Sequence, residues 1–125
     1  MFRNTLFATV ALLIASSAYA TTAEEMLSGC RAVAQAPVRD EQVAVPGAPD
    51  AQMCWGAFLV LHSLTGFVDA ALKPVLGGCV PDGSTLTQLV AIFVEYVDRN
   101  PAARSQPFAR VAINAIDRTF PCAKK

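Results

Sequence analysis

The chain has 125 residues, 54% of them hydrophobic, and its ten basic and ten acidic residues cancel at neutral pH. One domain of this size can bury a core, but only a small one. With no cluster of positive charge beyond the closing Lys124 and Lys125, which read as a solvated tail, nucleic-acid binding by counterion release is excluded.

Residues 1–20 have the three parts of an export signal. Arg3 is the basic start, Leu6 to Ala15 the apolar run, and Ala18-Tyr19-Ala20 the cleavage site. The apolar run is too short for a membrane-spanning helix. Cleavage after Ala20 leaves a single domain over 21–125 with no cysteine at its start, so no lipid anchor is expected. Without Arg3 this domain carries nine basic and ten acidic residues, a net charge of −1. The expected destination is the periplasm of a Gram-negative bacterium.

The first helix is expected over about Ala23–Ala34. Thr22 and Glu25 have the spacing of a capping box, and Met26, Leu27, Cys30, Val33 and Ala34 form the apolar stripe. Residues 36–50 read as a loop, because Pro37, Pro46, Gly47 and Pro49 exclude a helix and Arg39, Asp40 and Glu41 keep it wet. A loop this long in a small domain is either functional or simply mobile.

A second helix is expected from about Ala51, capped by Asp50, to Leu72, ended by Pro74. Cys54, Phe58, Leu61, Val68 and Leu72 would share one face. Gly56, Ser63, Gly66 and Ala70 would form a seam of small residues, and His62, Thr65, Asp69 and Lys73 the only polar stripe. So apolar a helix should be the central element of the core. Trp55 near its start is either a binding anchor or a partly buried core residue.

The third helix follows Thr85, which forms a second capping box with Gln88. Leu86, Leu89, Val90, Phe93 and Val97 should face inward. Gln88, Glu95, Asp98 and Arg99 should face water, with Glu95 and Arg99 paired across one turn. Asn100-Pro101 stops the helix. The fourth is expected from Ser105 to Pro121-Cys122, with Pro107 in its first turn and Phe108, Val111, Ala112, Ala115, Ile116 and Phe120 facing inward.

The cysteines are Cys30, Cys54, Cys79 and Cys122. An even count in a short exported chain reads as a disulfide framework. No pair has C-x-x-C spacing and His62 is the only histidine, so no metal site is expected. Four cysteines allow three pairings. Neighbouring helices joined by short connections run antiparallel, which favours Cys30–Cys54 and Cys79–Cys122. The fold class expected is all-α, a small antiparallel four-helix bundle stapled by these two bridges.

No catalytic residues and no cofactor are expected. Ser63 adjoins His62 in sequence but would not face it on a helix. Asp69 would lie two turns from His62, about 10 Å along the axis. No carboxylate pair has a setting that would raise a pKa, and no glycine loop suited to phosphate is present.

Four segments carry a resemblance to a known family. They are Leu27-Ser28-Gly29-Cys30-Arg31, Cys54-Trp55-Gly56-Ala57-Phe58, Cys79-Val80-Pro81-Asp82-Gly83-Ser84-Thr85-Leu86-Thr87-Gln88-Leu89-Val90 with Tyr96-Val97 and Asn100-Pro101 beyond it, and Ala115-Ile116-Asp117-Arg118-Thr119-Phe120-Pro121-Cys122. Together they resemble the Rap/Tai family of type VI secretion immunity proteins. The resemblance implies a small helical periplasmic protein that is not an enzyme. Such a protein binds and inhibits a secreted peptidoglycan amidase toxin, often as a homodimer. The contact candidates in this chain are the loop residues Arg39, Asp40 and Glu41 and the exposed Gln88, Glu95 and Asp98. A second possible reading is a small periplasmic stress chaperone without a toxin partner, which would expose the apolar second helix when the fold loosens.

Overall fold

The first helix, α1, spans Ala23–Ala34 and is closed at its start by the expected capping box. The Glu25 carboxylate accepts from the Thr22 N–H, and the Thr22 hydroxyl accepts from the Glu25 N–H. Met26, Leu27, Cys30 and Val33 are buried along one stripe. The computed structural model describes residues 20–123. The export signal expected over 1–20 therefore lies outside the described residues except for Ala20, as do Lys124 and Lys125.

The next segment is not entirely loop. Val38–Arg39 (β1) and Gln42–Val43 (β2) pair as a two-residue antiparallel ladder, Val38 opposite Val43 and Arg39 opposite Gln42. Asp40 and Glu41 form the turn, both with positive φ (51° and 64°), as a tight hairpin requires. The Ala44 N–H donates to the Pro37 carbonyl and closes the hairpin base. Val45 beyond it packs on the core.

The second helix, α2, spans Pro49–Leu64 and differs from expectation at both ends. It starts with Pro49 in its first turn and Ala48 as N-cap, so Asp50 lies inside the helix and its carboxylate accepts from the Ala51 N–H at 2.9 Å. It stops eight residues before Leu72. The Thr65 hydroxyl donates to the His62 carbonyl, and the Thr65 and Phe67 N–H groups make short-range bonds to His62 and Leu64. Asp69 then takes over as a local organiser. Its carboxylate accepts from the Ala71 and Lys73 N–H groups, which competes with helix formation. Val68 and Pro74 form a bridge, and Leu72 sits at φ 59° in the turn between them. The shared face and polar stripe expected to run on to Leu72 and Lys73 therefore do not exist.

α2 is not the central element either. Only Ala51, Cys54, Phe58 and Leu61 are buried on it. The helices that meet all the others are α1, which packs against α2, α3 and α4, and α3, which packs against α1, α2 and α4. Gly29 makes the α1–α2 approach possible. A Cβ there would overlap the Asp50 carbonyl.

α3 spans Leu86–Arg99 behind the Thr85–Gln88 capping box, and it buries the five residues expected, Leu86, Leu89, Val90, Phe93 and Val97. A 3-10 turn over Pro101–Ser105 follows. Next comes a short extended stretch in which the Ala23 N–H donates to the Gln106 carbonyl and the Phe108 N–H to the Thr21 carbonyl. That pairing delays α4 to Phe108–Thr119, with Pro107 as its N-cap. Val111, Ala112, Ala115 and Ile116 are buried on α4. Phe58, Phe93 and Phe108 meet from α2, α3 and α4 with ring centroids 5.2–5.7 Å apart, mostly edge to face.

Both expected disulfides are present. Cys30–Cys54 joins α1 to α2 with Cα atoms 5.3 Å apart, and Cys79–Cys122 joins the approach to α3 to the chain leaving α4 with Cα atoms 4.9 Å apart. Gly78 fits beside the Asp117 backbone of α4, so the second bridge closes over a tight contact. Among the described residues the architecture is four α-helices and two disulfides, with one small strand pair added to the all-α plan.

Candidate partner-binding surfaces

Three exposed regions are available to a partner. The first is the hairpin tip. Arg39, Asp40 and Glu41 are exposed there, and among the described residues their side chains make no hydrogen bond or ion pair. The tip is held firmly at its root. The base bonds of the hairpin, the Gln52 amide donating to the Pro46 carbonyl at 2.9 Å, and the Cys30–Cys54 bridge all tie down the chain around it.

The second region is the outer face of α3, where the other candidates lie, but they are engaged within the fold. The Gln88 side chain accepts from the Thr85 N–H at 2.8 Å as part of the helix cap. Glu95 pairs with Arg99 at 2.7 Å. Asp98 takes a two-pronged pair from Arg31 on α1, one contact at 2.8 Å, and Arg104 lies 3.9 Å away. Arg104 is also 3.6 Å from Glu24, so four charges bind α1, α3 and the 3-10 turn into one network. The hydrogen bond from Arg31 is the main cause that holds the Asp98 carboxyl below its ordinary value, and the Arg31 and Arg104 charges add to it against a desolvation cost. The same bond raises the Arg31 guanidinium. Among the described residues no hydrogen bond or ion pair joins the α3 candidates to the hairpin.

The third region was not anticipated. Met53, Leu59 and Val60 on α2 and Phe67, Val68, Leu72 and Val75 after it are all exposed, Leu72 to 80%. Sequence reasoning missed this apolar band because it assigned most of these residues to an all-round buried helix. The earlier signal lay in the composition of 51–80, a thirty-residue stretch in which Asp69 and Lys73 are the only full charges.

The remaining singled-out residues are engaged with the rest of the fold. Trp55 is half-buried and packs against the core. His62 is half-buried, and its Nε2 lies 2.6 Å from the Ser84 carbonyl, tying the end of α2 to the cap of α3. The Ser63 hydroxyl is bonded to the Leu59 carbonyl. Among the described residues no group of three histidine, cysteine, aspartate or glutamate side chains could hold a metal ion, and no helix is long and apolar enough to cross a membrane.

The fold and its exposed elements define a small, disulfide-clasped helical domain. The family model for Rap1a immunity proteins matches residues 22–122, from the cap of α1 to the last cysteine. The chain belongs to the Rap1a immunity protein family, in agreement with the resemblance carried by its four sequence segments. No curated protein and no solved structure matches it.

Proposed function

We propose that this protein is a periplasmic immunity protein that binds and inhibits a peptidoglycan amidase effector of a type VI secretion system. The family match over almost the whole mature domain is the observation that carries the reading. The three-part signal over residues 1–20 supports export. The protein acts by binding and has no catalytic role of its own. The family resemblance further suggests a homodimer.

The mechanism follows from charge and shape. An inhibitor must present groups that are free in the unbound state and already held in place, because ordering them on binding costs affinity. Arg39, Asp40 and Glu41 meet both conditions, so the hairpin tip enters the amidase's substrate groove. Gln88, Glu95 and Asp98 form a secondary contact at the rim, where charges act more on association rate than on affinity.

The test is co-expression in the periplasm with an amidase encoded next to this gene. Rescue of growth, together with a complex that survives purification, is the expected result. Lysis despite expression, with no binding in solution, would overturn the proposal. The exposed apolar band favours one second reading, a client-binding stress protein. Protection of an aggregating model client at any point between about pH 2 and pH 7 would support it, and no protection across that range would eliminate it.

A further inference from the structure

The two disulfides differ in one physical respect. Both sulfurs of Cys30–Cys54 belong to residues with no solvent exposure, packed between α1 and α2. Cys79 is exposed and Cys122 half-exposed. They line an open hollow of about 820 Å³ together with Asp69, Leu72, Lys73, Pro74 and Gly77. A thiolate can attack a disulfide only if it can reach a sulfur, and accessible bridges are the labile ones.

We propose that Cys79–Cys122 is a reducible clasp. A dithiol reductant opens it under native conditions while Cys30–Cys54 stays closed, and opening it releases the connection over residues 66–83. The inference stands apart from the immunity reading and holds whatever the partner is.

The exchange balances as follows. A reductant thiolate attacks one sulfur of the bridge, the Cys79–Cys122 bond breaks, and the second sulfur leaves as a thiolate. The reductant's other thiol then displaces the first sulfur and closes the reductant's own disulfide. Two electrons pass from the dithiol to the protein, and its two protons finish on Cys79 and Cys122.

The release is local because few other ties hold this segment. The Cys79 N–H donates to the Phe120 carbonyl at 2.8 Å, Leu76 is buried, and Gly78 rests on Asp117. Of the side chains over 66–83 only Leu76 is buried in the core, with Val80 packed partly against it. What the segment does carry is Phe67, Val68, Leu72 and Val75, more than half of the exposed apolar band. The redox state of one bridge therefore sets how rigidly that surface is displayed.

The test uses the full mature chain in its oxidised form. It is treated with dithiothreitol without denaturant, quenched over time with N-ethylmaleimide, and mapped by peptide mass spectrometry. Cys79 and Cys122 should be labelled together, at least about ten-fold faster than Cys30 and Cys54, because the buried bridge waits on global opening. Amide exchange over 66–83 should rise while the helical circular dichroism persists. Equal labelling of all four cysteines, earlier labelling of Cys30 and Cys54, or no labelling would overturn the proposal. So would labelling without faster exchange over 66–83. A Cys79→Ser/Cys122→Ser double variant gives an independent check. It should fold with the helical signal of the parent and show the exchange pattern of the reduced protein. A variant that loses its helical signal would show that the clasp holds the whole fold and refute a local release.

Discussion

Gly29 on α1 and Asp50 on α2 touch backbone to backbone, with no room for even a methyl group between them. The contact sets how closely the two helices approach, one residue before Cys30 enters its bridge to Cys54. Gly29→Ala forces the helices apart or bends one of them, although alanine is the better helix former. We expect a loss of about 1–3 kcal/mol, the usual cost of overpacking, read as a lower urea midpoint at unchanged slope. A stabilised variant would mean that the approach is looser than described.

The hairpin gives a prediction of the opposite sign. Glu41 holds φ at 64°, a conformation that glycine adopts freely and glutamate does not. Glu41→Gly should stabilise the domain by about 0.4–1 kcal/mol, since strain relief outweighs the added freedom of the unfolded chain. If the hairpin tip is the inhibitory element, the same change removes a partner contact. Stability and affinity should then move in opposite directions in melting and titration experiments on one variant.

Asp98 predicts a pH response. Its folded pKa is lowered, chiefly by the hydrogen bond from Arg31. It therefore contributes stability in full above its ordinary value of about 3.9 and loses that contribution as pH falls through the lower folded value. Arg31→Ala should raise the Asp98 midpoint toward the ordinary value in an NMR titration of the carboxyl carbons. It should also remove this residue's share of the acid-side slope in stability. An unmoved midpoint would show that the pair does not persist in solution.

Thr85 and Gln88 separate a structural role from a binding one. Thr85→Ala removes the acceptor for the Gln88 N–H and should cost about 1 kcal/mol by thermal unfolding. Gln88→Ala should cost a fraction of that through the other half of the box. If Gln88→Ala weakens partner binding while Thr85→Ala leaves it intact, the Gln88 side chain has a contact role beyond its cap.

The aromatic junction sets the largest expected loss. Phe93 is fully buried and touches both Phe58 and Phe108. Phe93→Ala should cost about 3–5 kcal/mol, enough to threaten folding of so small a domain, as seen by circular dichroism at 37 °C. A near-neutral result would mean that the neighbouring rings collapse into the space.

α1 and α3 were legible residue by residue because a capping box marks the start of each, and apolar spacing then fixes the buried stripe. The disulfide pairing was legible because short connections leave few ways to bring cysteines together. The end of α2 was not, since apolar residues continue through Phe67 and Val68 and hide the stop. The stop lies in local polar chemistry: the Thr65 hydroxyl on the His62 carbonyl and the Asp69 carboxylate on two later N–H groups. The hairpin was hidden for the same kind of reason. Its turn is Asp40-Glu41, without the glycine that usually announces one. Among the site candidates, exposure could be read from charge, but engagement could not. Nothing in sequence spacing places Arg31 against Asp98, which lie on different helices.

The backbone pairing of Thr21 and Ala23 with Phe108 and Gln106 joins the start of the domain to its last third. Helix α1, which packs against every other helix, is thus set in place by residues made near the end of synthesis. A chain ending before Gln106 lacks these bonds and all of α4, and long-range closure of this kind slows folding. A ribosome-bound fragment ending before Gln106 should remain open to proteases. Were the chain exported through a membrane pore, as proposed above, that delay would keep it in the extended state the pore requires.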